Sequence, residues 1–300
     1  MRFSAATGGA GCGTDGDSAQ DGEDLTTLAM TPQGAHLITC SRSYMMHIYA
    51  LDFDLTAEPV TVSYEQTRQI KQTSPIMVCE TDRTGTLVAT GGSDGLVKVW
   101  DIRKGFVTHN LRGHGGLVSA LSFYMAEGTD PSTIGTEDPA PVKGKKGKKA
   151  AKEVRGRFML ASGGDDTTIR IWDLETSACV TTLQGHTSVV RGLDWNQDGS
   201  RLLSGARDAA LCLWDTKTWK YVLTPAGEEV EAVGFVAPGK FTREDDGPTD
   251  KLIFAAGRLD RVRIWDLTEG KELTATEVQE EEDEEKGIVQ VMFVPQAPIS

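Results

Sequence analysis

Apolar residues in this chain gather in short strand-length runs, and four of them close on the same pair: LVKVWD, TIRIWD, ALCLWD and RVRIWD end at Trp100-Asp101, Trp172-Asp173, Trp214-Asp215 and Trp265-Asp266. Successive pairs lie 72, 42 and 51 residues apart. With 42 as the unit, the first interval carries about 30 extra residues and the last about nine, both where the composition is loop-like. Upstream of each pair the order is constant: an apolar strand, a small hydroxyl or alanine, glycine, a turn with Asp, then the Trp strand. LVATGGSDG, MLASGGDDT, LLSGARDA and FAAGRLD align in this way. Gly113-His114 and Gly185-His186 open two units and are followed by LVSALSF and VVRGLDW, strands with an inward apolar set. The pattern predicts an all-β chain of four-stranded units.

A fainter unit, LTTLAMTPQGAHLITCSRSYMMHIYALD, precedes these, with Ile48-Tyr49 where Trp-Asp would stand. After Trp265 come ELTATEV, an acidic run, and IVQVMFVP, which reads as the first strand of a further unit. The motifs resemble WD40 repeats, with a Ser or Thr ten residues and an Asp six residues before the Trp. The resemblance implies a β-propeller of about five blades plus the start of another. Seven blades is the usual WD40 ring, so residues 25–300 are expected to be part of a seven-bladed or tandem-propeller protein. Residues 1–24, rich in Gly and acid, read as a linker.

His186, Ser204, Asp208 and Trp214 contain the residue types of a catalytic triad. They recur one unit earlier as His114, Ser162, Asp166 and Trp172, whereas a catalytic set occurs once. No G-x-S-x-G elbow surrounds the serine. The resemblance implies a buried chain of hydrogen bonds from Trp indole through hydroxyl and His to Asp, and a non-enzyme. Another unit keeps Thr90, Asp94 and Trp100 but shows no Gly-His before it, and the last has Ala256 in the hydroxyl position. Those two blades are expected to be looser.

The net charge is -13, so the whole chain is not built to condense on polyanions. Charge is uneven, however. Residues 125–155 are rich in Pro, Gly and Lys and are expected to be a disordered insertion. Lys143, Lys145, Lys146, Lys148, Lys149 and Lys152, with Arg155 and Arg157, place eight bases in fifteen residues. This tract is a solvated spacer, a nuclear-import signal or an RNA-phosphate contact; without interleaved aromatics it is not a base-stacking site. The acidic run at 277–286 reads as an inter-blade loop on the face opposite the basic insertion and the loop Pro238–Asp250. No run of 18 apolar residues and no apolar leader is present, so the reading is of a soluble intracellular chain without a membrane partner. Five scattered cysteines with no C-x-x-C pair argue against disulfides and zinc. No cofactor or small-molecule substrate is expected. The Gly8–Gly13 stretch has no Gly-Lys-Ser/Thr after it and no strand before it, and the glycines of KGKKGKK are too close for a Walker loop.

Beyond the repeat itself, THNLRGHGGLVSALSFY, LQGHTSVVRGLDW, LLSGARDAALCLWD and VEAVGFV are similar to the transducin-β-like 3 family of WD-repeat proteins associated with U3 small nucleolar RNA. The resemblance covers about residues 25–270 and is strongest over 87–235. It implies a non-catalytic scaffold in the U3 ribonucleoprotein, or small-subunit processome, serving precursor ribosomal RNA processing and 18S maturation. It further implies other WD-repeat processome proteins, U3 RNA and precursor ribosomal RNA as partners, and location in the nucleus and nucleolus. The alternative is a cytosolic WD40 adaptor such as a ubiquitin-ligase substrate receptor.

Overall fold

Alternation in a run such as TIRIWD puts Ile169 and Ile171 on one face of a strand and Arg170 and Trp172 on the other. Both faces therefore need cover, and sheets stacked side by side provide it. The computed structural model describes residues 24–54, 61–126, 158–236, 251–258, 261–267 and 271–277. These form five four-stranded antiparallel sheets, each a meander of consecutive strands.

The first sheet holds β1 (Leu25–Met30), β2 (His36–Ser41), β3 (Met45–Asp54) and β4 (Thr61–Lys71). The second holds β5 (Ile76–Thr81), β6 (Leu87–Gly92), β7 (Leu96–Asp101) and β8 (Val107–Arg112). The third holds β9 (Val118–Met125), β10 (Phe158–Gly164), β11 (Thr168–Asp173) and β12 (Ala178–Gln184). The fourth holds β13 (Val190–Trp195), β14 (Arg201–Ala206), β15 (Ala210–Asp215) and β16 (Tyr221–Pro225). The fifth holds β17 (Val230–Phe235), β18 (Leu252–Gly257), β19 (Arg261–Asp266) and β20 (Lys271–Glu277). First strands neighbour one another in series, β1 with β5, β5 with β9, β9 with β13 and β13 with β17. They therefore line a common axis, and fourth strands such as the exposed β4 lie outermost. This is a propeller arrangement, with each sheet a blade.

One apolar cluster fills each seam. Leu87, Val97 and Val99 of the second blade meet Phe158, Leu160 and Trp172 of the third. Ile169 and Ile171, on the other face of β11, join Leu202 and Trp214 of the fourth. Each Trp thus packs toward the preceding blade. The seams are tight at one repeated place, where Gly91, Gly163 and Gly205 follow the hydroxyl position. A Cβ there would lie 2.6, 2.6 and 2.5 Å from Val118, Val190 and Val230 of the next blade. Polar bonds cross the seams as well: Trp195 Nε1 donates to Ser122 O at 3.1 Å, and His109 Nε2 to Leu174 O at 2.7 Å.

The β9–β10 and β17–β18 connections both join a first strand to a second, so they leave from the same end of the ring. Residues 127–157 and 237–250 within them lie outside the described residues. So do residues 1–23, the acidic run beyond Glu277 and the expected strand IVQVMFVP.

The register corrects two alignments. Trp100, Trp172, Trp214 and Trp265 pair with Val88, Leu160, Leu202 and Ile253. In the first blade the residue paired in the same way is Tyr49, with Leu37. Tyr49 thus occupies the Trp position and Ala50 the Asp position, in place of Ile48-Tyr49. In the fifth blade the residue matching Ser204 is Ala255, paired with Arg263, not Ala256. Strand pairing counts from the turn; glycine spelling led the alignment one residue astray.

Gly205→Val is expected to lower stability by about 1–3 kcal/mol, the cost of overpacking a seam. Chemical denaturation would read this as a lower midpoint at unchanged slope, and an unchanged midpoint would mean the seam has slack.

Candidate functional site

Two blades carry the full polar constellation, assembled from four places in each. In the fourth blade, Trp214 Nε1 on β15 donates to Ser204 Oγ on β14 at 2.9 Å, and His186 Nε2 lies 2.8 Å from that oxygen. His186 Nδ1 lies 3.0 Å from Asp208 Oδ2, and Asp208 also accepts the Thr187 N–H (2.8 Å) and the Ala210 N–H (3.2 Å). The third blade repeats the pattern. Trp172 Nε1 to Ser162 Oγ is 2.8 Å, His114 Nε2 to that oxygen 2.7 Å, and His114 Nδ1 to Asp166 Oδ2 3.0 Å.

Proton accounting fixes the direction of both chains. The carboxylate can only accept, so His Nδ1 carries the proton and Nε2 accepts from the serine hydroxyl, whose oxygen accepts from the indole. Each donor has an acceptor; in the fourth blade Ser204 Oγ also lies 3.4 Å from Cys212 O, a longer contact than its 2.8 Å to His186 Nε2. The Asp does double duty, because its second oxygen closes the tight turn between the second and third strands, where Thr167 and Ala209 hold positive φ of 62° and 58°. Burial holds both imidazoles below their ordinary pKa, against the opposing pull of Asp166 and Asp208. Burial would push Asp166 up, yet the Gly115 N–H and His114 keep its pKa below the usual carboxylate value.

This order of groups imitates a hydrolase triad, but the serine cannot act as one. Ser162 and Ser204 are 0% exposed, so no substrate reaches Oγ, and one lone pair is already held by the indole. A concavity between the fourth and fifth blades is lined mainly by apolar residues such as Leu203, Leu211, Ile253 and Trp265, together with Arg201, Thr224 and Asp266, and includes no hydroxyl of the constellation. Among the described residues no group of three His, Cys, Asp or Glu is placed to hold a metal. Cys40, Cys79 and Cys212 are buried free thiols, and Cys179 is exposed.

The second and fifth blades carry other residues at these places. In the second, Trp100 Nε1 donates to Thr90 Oγ1 at 3.0 Å, and Asp94 caps its turn through the Leu96 N–H at 3.1 Å. The place of the missing His, four residues before the first strand, belongs to Gln72. This residue is buried and accepts from Lys98 Nζ at 3.1 Å. Nothing in the Gly-His pattern pointed to it. In the fifth blade Ala226 and Ala255 stand at the His and hydroxyl positions. There Arg263 lies over the Trp265 ring at 5.2 Å and pairs with Glu272. The apolar swap removes hydroxyl and imidazole together, so neither is left unpartnered. The six lysines from Lys143 to Lys152 lie outside the described residues.

The WD domain, G-beta repeat family matches residues 65–101, 154–173 and 177–215. Transducin beta-like protein 3 of Bos taurus is 30% identical over 254 residues, which is 84% of this chain and 27% of that protein. U3 small nucleolar RNA-associated protein 13 of Saccharomyces cerevisiae is 32% identical over 269 residues, 86% of this chain and 28% of that protein. The chain thus spans about a quarter of the length of these curated relatives. Among solved structures, the RRP9 WD40 repeats align with TM-score 0.60 at 13% identity, covering 85% of this chain and 64% of that one. The U3-55K structure gives the same values. At that identity the likeness is one of fold.

Asp208→Ala is expected to cost roughly 1–3 kcal/mol for each partner left unpaired, and Trp214→Ala roughly 3–5 kcal/mol with its cavity. Binding of every ligand should weaken with the fold; a variant that loses one activity while melting like the parent would contradict the fastener role. The histidines add a pH signature. A pKa that is lower in the folded than in the unfolded chain makes the unfolded chain bind more protons. Stability therefore falls as pH drops below about 6.5. Replacing His114 and His186 together by Gln should flatten that decline in melting temperature, and an unchanged slope would show that the imidazoles are not held neutral.

Proposed function

We propose that this chain, a WD40-repeat homologue of transducin beta-like protein 3, is the propeller part of a non-catalytic scaffold in the U3 small nucleolar ribonucleoprotein. Its service would be to precursor ribosomal RNA processing and 18S maturation in the nucleolus. The observation that carries this reading is the similarity over 84% of the chain to transducin beta-like protein 3, joined by a yeast relative named for its association with U3 small nucleolar RNA. The repeated constellation agrees with it. Two blades spend their Ser, His and Asp on holding strands together, which leaves loops and rims as the surfaces a partner can use.

The mechanism is positional. Stacked blades hold the loops at both ends of the ring in fixed relation, so separate proteins can be gripped at once. Other WD-repeat processome proteins are the neighbours proposed for the rims. The lysine tract joins β9 to β10, at the end of the ring that also carries the β17–β18 connection. Six lysines there would add phosphate contacts to U3 or precursor ribosomal RNA, independent of base sequence and weakened by salt. We assign residues 25–300 to a larger ring and residues 1–24 to a linker.

The test is recovery of the tagged full-length protein from nuclear extract, with and without ribonuclease, followed by sequencing of bound RNA. Enrichment of U3 and precursor ribosomal RNA is expected. Cullin subunits without RNA would replace this reading with an adaptor. Changing the lysines between 143 and 152 to Ala is expected to reduce RNA recovery or nucleolar accumulation at unchanged melting temperature, and no change in either would make the tract a spacer.

A further inference from the structure

At the ring's end that carries the His–Asp contacts, the axis between the fourth and fifth blades holds an arrangement the repeat does not require. Glu231, the second residue of β17, is buried, with its side chain 6% exposed. Each of its oxygens accepts from a different arginine. Arg191 Nε, from the second residue of β13, lies 2.7 Å from Oε2. Arg207 Nε, from the β14–β15 turn, lies 2.7 Å from Oε1. Burial would push the Glu231 pKa up, yet the bonds from Arg207 and Arg191 hold it below the ordinary value.

Both arginines bond through Nε alone. Among the described residues, neither terminal fork has a hydrogen bond or ion pair with another group. The Arg207 and Arg191 side chains keep 42% and 25% of their surface. A guanidinium offers five donors in a rigid plane, and paired terminal N–H groups match the two oxygens of a carboxylate. One buried carboxylate therefore fixes two forks from one side and carries half their charge, leaving a local surplus of one positive charge.

We propose that Arg191 and Arg207, clamped by Glu231, form a docking site for an acidic side chain of a protein partner. The surrounding rim selects a peptide over a nucleic-acid strand. Asp165 is exposed on the neighbouring turn, Asp208 follows Arg207, and Glu229 pairs with Arg258 at 3.5 Å. A polyanion would meet these acids at every step, while a single Asp or Glu in a mixed segment meets the two forks and leaves basic neighbours to face the acids. The inference rests on the scaffold reading only for the existence of a partner. It places protein docking on the end opposite the connection that bears the lysine tract.

The experiment uses the whole chain and an immobilised array of short mixed-sequence peptides, one series with a central Asp or Glu and a matched series with Asn or Gln. A uridine homopolymer is tested in parallel. Preferential capture by the acidic series is expected, with Arg207→Ala weakening it by about tenfold, the worth of one charge-assisted fork. Glu231→Gln separates a clamp from plain attraction. It raises the local charge by one, so simple electrostatics predicts tighter capture, whereas loss of the clamp predicts weaker capture at a matched melting temperature. Equal capture of acid and amide series, tighter capture by Glu231→Gln, or homopolymer displacing the peptides would each overturn the proposal. Failure here would leave the ribonuclease-sensitive RNA recovery of the scaffold reading untouched.

Discussion

A buried indole N–H has to be given an acceptor, and the organisation of three of the five described blades follows from how they supply one. Trp100, Trp172 and Trp214 each reach back to a hydroxyl ten residues earlier, on the neighbouring strand. In two blades the hydroxyl is in turn held by a histidine from the loop before the first strand. A third-strand ring, a second-strand hydroxyl, a leading loop and a turn carboxylate thus become one unit. Losing any member leaves the others unsatisfied in a dry interior.

The same geometry explains what the blades do with neighbours. Trp100, Trp172, Trp214 and Trp265 each face the preceding blade, and aliphatic residues beside them on the same strand, such as Val97 and Val99 or Ile169 and Ile171, face the following one, so the second, third and fourth sheets are covered on both faces. Glycine after the hydroxyl lets the next blade's valine approach. Chemistry is then confined to what lies at the two ends. Arg191, Glu231 and Arg207 sit there, outside the fasteners, and their pairing is a contact between blades rather than a feature of one.

Much of this could be read from residue order. The Trp–hydroxyl and Trp–Asp spacings survive because hairpins of fixed turn length separate those positions, so they stay constant while other distances vary. His114 lies 48 residues from Ser162 but His186 only 18 from Ser204, and the third-blade unit is recognisable only because the surplus falls in one hairpin connection. What was not legible depended on space rather than spelling. Gln72 replaces a histidine with a different chemistry and no Gly-His mark. Tyr49 fills the tryptophan's place in the first blade, and the alignment at Ala256 followed a glycine that pairing places elsewhere. Glu231 meets arginines 40 and 24 residues away, a coincidence only the stacked first strands create.

The fastener account is tested most directly by hydrogen exchange at individual indole N–H groups, followed by NMR on the whole chain. Trp172 and Trp214, donating to serines locked by imidazoles, should exchange only when the fold opens globally, while Trp265, with Ala255 opposite, should exchange faster. Equal exchange at all three, well ahead of global unfolding, would mean that the serine and histidine contacts do not hold the blades together.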